Sequence, residues 1–436
     1  MTHAHTLHAA AAQVELTPRA GQWMTGYAGR LTPAVGVHDA LCARALLLDD
    51  GTARSLLVVC ELIGLHVTLA AAMRAKLAAL LGTTPAHIVV ACTHTHSGPA
   101  CYPFRGIMGH VDDAWNADAM QTIVKMVMTL PARLQPVTLR QGATRVAGIG
   151  FNRQDATRDV DDEVRVLALE NPQQQRVATV LNYAVHAVVL GPRNLLFSGD
   201  VPGACMRAIE QRDGGVCLYL QGACGDIEPE LNRSKGWGKG DFDDVAQVGA
   251  QLAEAGTTAL TQASLSAASR LAAASATLDV ALDAPPAPAE LATLRQQFEH
   301  ERDTVANQVD QMCAQAMLAW ADALQSALDR HAVPRTRTVE LTALALGDVR
   351  IFAAPFELYS DLGRAIKATR QPQPVMIAGY ANGYDGYFPT AWAKQQGGYG
   401  ADSACRWFPD LLTPVSAAAE PALIACATTL ISFATK

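Results

Sequence analysis

The chain has 436 residues, half of them hydrophobic and only 17% charged, enough apolar material for two or three domains or for one large α/β domain with insertions. A net charge of −7 argues against nucleic acid, which demands clustered lysine and arginine, and leaves no polybasic handle for an anionic membrane. Ten cysteines are scattered singly with no Cys-x-x-Cys pair, so they read as reduced, buried small hydrophobes.

The first residues, with His3, His5 and His8, lack a basic n-region, and the run Ala9 to Ala12 is too short and weak for a signal peptide. They are expected to form a disordered terminus rather than a metal-trapping tail, and the protein is expected in the cytoplasm. No stretch reaches about eighteen uninterrupted apolar residues, so no transmembrane helix is expected.

From Gln13 to about Ser264, β-branched apolar runs alternate with Ala-rich helical ones. Strands are predicted over Ser55 to Cys60, Ile88 to Cys92, Val164 to Leu169, Val177 to Val185 and Gly215 to Gln221. Helices are predicted over Leu69 to Leu81, Asp118 to Leu130, Pro202 to Arg212 and Asp241 to Thr261. Between Pro285 and Pro334, residues such as Leu291, Leu294, Phe298, Trp320, Leu324 and Leu328 recur at spacings near three, four and seven. That periodicity predicts two amphipathic helices, a hairpin inserted between strands. β texture returns from Leu341 to Phe352, followed by a helix from Leu358 to Thr369. A Gly/Tyr/Asn-rich stretch, Gly379 to Thr390, is too unusual for a plain linker. The fold class is α/β, with mixed β-sheets flanked by helices and an inserted helical hairpin.

The strand Ile88 to Cys92 empties into His94 and His96, which precede a Ser-Gly-Pro turn. In an extended backbone, residues two apart project to the same side, so both imidazoles would leave the strand together. That is how a metal or hydrolytic site is often begun, and metal ligands need this kind of rigid support. Zinc takes three or four protein donors, so further ligands must come from elsewhere. His186 leaves the strand Val177 to Val185 in the same way. Glu357, after the strand Val349 to Ala354, reads either as a ligand or as a charge at a helix N-terminus. The loop Gly222 to Pro229, with Asp226 and Glu228, reads as a pocket edge or a tight turn.

Taken together, these residues resemble the catalytic domain of the neutral (non-lysosomal) ceramidase family of zinc-dependent amidases. The resemblance runs through Gly26-Tyr-Ala-Gly-Arg30, Gly36-Val-His-Asp39, Thr93-His-Thr-His-Ser-Gly-Pro99, Phe151-Asn-Arg153, Asn182 to His186 and Ser198-Gly-Asp200. It continues in Gly225-Asp-Ile-Glu-Pro229, Pro355-Phe-Glu357 and Asn382-Gly-Tyr-Asp-Gly-Tyr387, with Tyr399 beyond. It implies one catalytic domain over residues 1–436, made of an α/β part (13–264), the hairpin insertion (285–334) and a C-terminal part (338–436). It also implies Zn2+ held by His94, His186, Glu357 and Tyr387, with His96, Arg153 and Tyr399 facing the substrate. Zinc would activate water and polarise a carbonyl. His96, Arg153 and Tyr399 would supply donors for the oxyanion, and one of them would protonate the leaving amine.

Two departures matter. Where the family's loop carries a catalytic serine, this chain has Glu228, whose role as general base, substrate contact or turn cap stays open. The family's secreted members also carry a signal peptide and a C-terminal immunoglobulin-like domain, and neither is expected here. The expected substrate is therefore a small soluble N-acyl compound or amide rather than membrane ceramide, with no nucleic acid and no stable membrane association. Ester or lactone hydrolysis and a non-catalytic metal-binding module are the alternatives.

Overall fold

The computed structural model describes residues 6–106, 108–265 and 270–433. Its first segment lays down β1 (His8–Glu15), β2 (Cys42–Asp49), β3 (Arg54–Cys60) and β4 (Ile88–Cys92). They lie in the order β4-β3-β2-β1, with the short strand Gln135–Pro136 at the β1 edge. β1, β2 and β3 pair antiparallel, whereas β3 and β4 are parallel. A parallel pair needs a crossover, which is the helix α1 (Val67–Leu81). Every residue of β4 is buried, as expected of a parallel strand covered on both faces. The helix α2 (Asp113–Met128) shares a core with α1 and with Leu56, Val58 and Cys60 of β3.

The middle segment repeats the arrangement. β5 (Thr138–Arg145) leads through β6 (Gly150–Asn152) to β7 (Glu163–Glu170) and β8 (Arg176–Tyr183). α3 (Asp200–Asp213) then crosses to β9 (Val216–Gln221), which runs parallel to β8. The sheet order is β9-β8-β7-β5, with Ser264–Leu265 at the edge. A short strand β10 (Ile227–Pro229) pairs separately with β6, and α4 (Phe242–Thr261) packs on α3.

The third segment contains β11 (Leu271–Ala281), α5 (Pro288–Thr304), α6 (Gln308–Asp329) and β12 (Thr336–Leu346). β11 and β12 pair antiparallel along their whole lengths, so the helical hairpin is an excursion between two neighbouring strands. β13 (Val349–Ala353) follows a tight turn, and the two-residue strand β14 (Glu357–Leu358) leads into α7 (Ser360–Ala368). β15 (Val375–Ala378) returns parallel to β13, β16 (Tyr387–Phe388) pairs parallel to β14, and α8 (Ala419–Ile431) closes the chain.

Alternate residues of the three sheets, among them Leu46, Leu57, Val180, Leu218, Leu344, Ile351 and Met376, form one shared inner core. Outward-facing residues meet the helices. No helix among the described residues is long and apolar enough to cross a membrane.

The structure corrects one expectation and refines others. His8 opens β1, and Ala9 to Ala12 are buried against β2 instead of forming a disordered end, while His3 and His5 lie outside the described residues. The β texture expected over Leu341 to Phe352 resolves into two strands, the second close to the expected Val349 to Ala354, because Gly347 turns the chain with a φ of 60°. β11, for which no element was predicted, is Ala-rich yet is held extended by its long pairing with β12.

The parallel pairs of the three large sheets finish at one place. Main-chain bonds run from Cys92 N–H to the Tyr380 carbonyl (3.1 Å) and from Gly379 N–H to the Gln221 carbonyl (2.9 Å). The Asn182 amide donates to the carbonyls of Leu220 and Ile377 (both 2.8 Å), and Asn382 Oδ1 accepts from Val90 N–H at 3.0 Å. These asparagines tie the sheets together, so residues just past the strand ends share a fixed frame.

Candidate metal centre

Three histidines converge at this junction. His94 lies two residues beyond β4, and with a φ of 63° it has left the extended conformation that the His-x-His spacing suggested. The two rings still meet, because each is turned by its own main-chain acceptor rather than by the pleat. Nδ1 of His94 donates to the Ile63 carbonyl (2.8 Å), Nδ1 of His96 to that of Gly26 (3.0 Å) and Nδ1 of His186 to that of Cys224 (2.6 Å). A carbonyl only accepts, so each Nδ1 carries its proton and the Nε2 edge faces inward. The Nε2 atoms of His94 and His96 are 3.1 Å apart, and one ring nitrogen from each of the three residues lies within 4.8 Å of the others.

Glu357, opening β14, brings its carboxylate to the same point, with Oε2 3.1 Å from His186 Nε2 and 3.5 Å from His94 Nε2. Tyr384 donates its hydroxyl to Oε1 at 2.5 Å and Tyr380 to Oε2 at 3.2 Å, while the Tyr380 ring stacks on His94 at 3.9 Å. The sequence reading did not single out these two tyrosines. Their signal was their place in the Gly379 to Thr390 stretch, one residue type repeated among glycines.

The electrostatics follow from burial among these partners. Burial, aided by His186, pushes His94 down to about 3 against the pull of Glu357. Burial also holds His96 well below the usual histidine range, with His94 and His186 adding to the effect. Burial works against charge on Glu357 and on His186, yet their partners prevail. His94, His186 and Tyr384 hold the carboxylate down to about 2, and Cys224 and Glu357 push His186 up to about 10. Two neutral imidazoles, a third ring and a carboxylate aimed at one point are a donor set suited to a borderline divalent cation such as zinc. A cation there would take the position of the His186 proton.

The remaining predicted residues surround this point. Tyr387 is paired with Glu357 in the β14–β16 register, and its hydroxyl accepts from Arg153 NH2 at 3.1 Å. The Arg153 guanidinium is also held by the Gly225 carbonyl (2.7 Å) and leans on Glu228 Oε1 (3.5 Å). Glu228 projects from β10 and accepts from the Asn232 amide through Oε2 (3.1 Å). Tyr399 is nearly half exposed, with its ring 5.8 Å from that of Tyr387. Asp226 turns away and accepts from Asn152 (2.7 Å) and Ser360 N–H (2.7 Å), a suture within the loop.

A cavity of about 1060 Å³ opens over the cluster, lined by His96, His186, Arg153, Glu228, Tyr387 and Tyr399 together with several aromatic rings. His94 and Glu357 are buried behind it. Because His96 keeps its proton on Nδ1, its Nε2 is an acceptor, and donation to an oxyanion would first require a proton there.

The profile described as "Neutral/alkaline non-lysosomal ceramidase, N-terminal" matches residues 15–235. The chain is 24% identical to the neutral ceramidase of Pseudomonas aeruginosa over 254 residues, which are 52% of this chain and 38% of that protein. It is also 24% identical to the neutral ceramidase of Mycobacterium tuberculosis over 242 residues, 48% of this chain and 38% of that one. The chain thus spans under two fifths of the length of the curated relatives it matches. The crystal structure of the Pseudomonas aeruginosa neutral ceramidase superposes with a TM-score of 0.74 at 19% identity, covering 98% of this chain and 74% of that one, so the two share a fold.

Proposed function

The chain belongs to the neutral/alkaline non-lysosomal ceramidase family, and from that premise we propose that it is a zinc-dependent hydrolase of the carbon–nitrogen bond in a small soluble amide. One observation carries the reading: three imidazoles of fixed orientation and the Glu357 carboxylate converge on one point at the edge of a large cavity. Curated relatives are named for ceramide, itself an amide, which favours acyl–nitrogen chemistry at such a point.

In this reading His94, His186, Glu357 and Tyr387 hold the ion, and the third imidazole, His96, lies beside it in the cavity wall and faces the substrate. When bound, zinc polarises the substrate carbonyl and makes water acidic enough to attack near neutral pH. Arg153, locked by Gly225 and Tyr387, and the Tyr399 hydroxyl donate to the oxygen on which charge develops. Tyr399, the more exposed of the two, passes a proton to the departing nitrogen. Charged Arg153, Glu228 and Asp155 in the cavity wall favour a polar substrate over a fully apolar chain. Ten unpaired thiols suit a reducing, cytoplasmic compartment.

Elemental analysis, followed by a screen of N-acyl amino acids, simple amides, esters and lactones with and without chelator, tests the proposal. A single equivalent of zinc and chelator-sensitive amide hydrolysis are expected. Undiminished turnover by metal-free protein would overturn the zinc chemistry, faster ester or lactone cleavage would reassign the reaction, and bound zinc without any turnover would leave a metal-binding module.

A further inference from the structure

We infer that the helical hairpin α5–α6 sets substrate selectivity, by bracing Trp407 as a fixed wall of the cavity. This rests on the amide-hydrolase reading of the same site. Met108 and Trp407 both line the cavity; Met108 sits in a bend and Trp407 ends a single short 3-10 turn, Ala404–Trp407, and both need outside support to act as a wall. The two segments are fastened to each other first. Arg105 N–H donates to the Trp407 carbonyl at 2.6 Å, and its guanidinium donates to the carbonyls of Arg406 (2.6 Å) and Pro409 (2.9 Å).

The hairpin then grips both. The Arg406 guanidinium lies over the rings of Trp320 (4.6 Å) and Phe298 (5.8 Å), one from each helix. Trp320 Nε1 donates to the Leu412 carbonyl at 3.0 Å. Gly106, with a φ of +90°, comes so close to α6 that a Cβ there would stand 2.4 Å from the Ala316 Cβ. The brace has its own core of Leu291, Phe298, Leu318, Trp320, Ala321 and Leu324, so its stiffness does not depend on a ligand. Trp407 and the hairpin both lie outside the matched segment 15–235, so this side of the cavity is supplied by a different part of the chain from the cluster around His94 and His186.

A wall that cannot retreat discriminates by size. One methylene too many or too few in such a pocket changes kcat/KM by about 10- to 200-fold. Removing the indole therefore lets longer substituents in.

The test uses the zinc-loaded full chain and Trp407→Ala, with Trp407→Phe as the gentler change. Two matched series are assayed, N-acyl glycines from acetyl to decanoyl and N-acetyl amines from methylamine to octylamine. In Trp407→Ala the longest-to-shortest kcat/KM ratio should rise at least tenfold in one series, and less in Trp407→Phe, with zinc content unchanged. Calorimetric binding of alkanoates and alkylamines over the same lengths should show the same shift without turnover. Ratios within twofold of wild type in both series overturn the inference while leaving amide hydrolysis standing. If the wild type cleaves neither series, the amide reading fails and the binding profile alone decides: a length preference that moves in Trp407→Ala upholds the wall, and one that does not refutes it.

Discussion

His94 and His96 face each other, Nε2 to Nε2, at 3.1 Å, each with its Nδ1 committed to a main-chain carbonyl. Two nitrogen lone pairs at that distance repel, and a cation held by the His94 lone pair relieves that repulsion. Zinc should therefore raise the thermal midpoint, and a ligand at a hundredfold excess over its Kd adds about 2.7 kcal/mol of stability. His186→Ala and Glu357→Gln should abolish both the bound zinc and the thermal response. His96→Ala should keep the zinc and lose turnover. Loss of zinc in His96→Ala with retention in His94→Ala would reverse the roles assigned to the pair.

Gly26 fixes the orientation of His96. Its φ is +95°, and a Cβ there would stand 2.6 Å from Cγ and Nδ1 of the His96 ring, the same ring that donates to the Gly26 carbonyl. Gly26→Ala must therefore push the imidazole aside. A displacement of about 1 Å costs on the order of 100-fold in rate. The expected result is that loss in kcat with bound zinc retained, and an unchanged kcat would show that the orientation of His96 does not matter.

Glu228 has one oxygen anchored by Asn232 and the other leaning on Arg153 at 3.5 Å, the looser of the two contacts. If that oxygen receives a proton during attack, Glu228→Gln keeps zinc and KM and lowers kcat by about 100-fold, the size of a general-base contribution. If it receives a substrate amine, KM rises instead for amine-bearing substrates alone. A variant that equals wild type in both parameters would leave Glu228 a turn residue.

The donors at strand ends were legible from sequence because an apolar run that stops at His94, His186 or Glu357 records both the strand and its exit. Tyr380 and Tyr384 were not. Their use depends on β15 ending beside β9, a contact between segments more than 150 residues apart that leaves no local pattern. Asn182 and Asn382 likewise bond to strands of other sheets. β1 and β11 carry no local strand signature for a different reason: alanine runs do not favour strand by propensity, and only pairing with β2 and β12 makes them strands. The hairpin was readable because its face of Leu, Phe and Trp repeats with the helical period and packs mainly on itself.

Asp200 gives a pH dependence independent of the metal. It is fully buried at the start of α3, accepts from Leu190 N–H (3.1 Å) and Val201 N–H (2.7 Å), and burial pushes its pKa up from 3.8 to about 6. The folded state therefore holds this proton where the unfolded chain has released it. The resulting stability is complete below about pH 4 and is lost as pH rises through about 6. In urea titrations the stability of wild type minus that of Asp200→Asn should fall across that window and stay flat above it. A difference that rises with pH would contradict the assignment.

Tyr384 offers the sharpest test of the support around the proposed metal ligands. Its ring is packed among Tyr102, Phe104 and Phe408, and its hydroxyl is the donor to Glu357 Oε1. Tyr384→Phe keeps the ring and removes only that donor, while Tyr380 continues to hold Oε2. Losing a hydrogen bond to a metal-ligating carboxylate weakens metal binding by about 10- to 100-fold. Competition with a chelator of known affinity should show that loss with little change in the folded spectrum. Zinc affinity equal to wild type would mean that Glu357 is held in place without its tyrosine, or that it does not bind the ion.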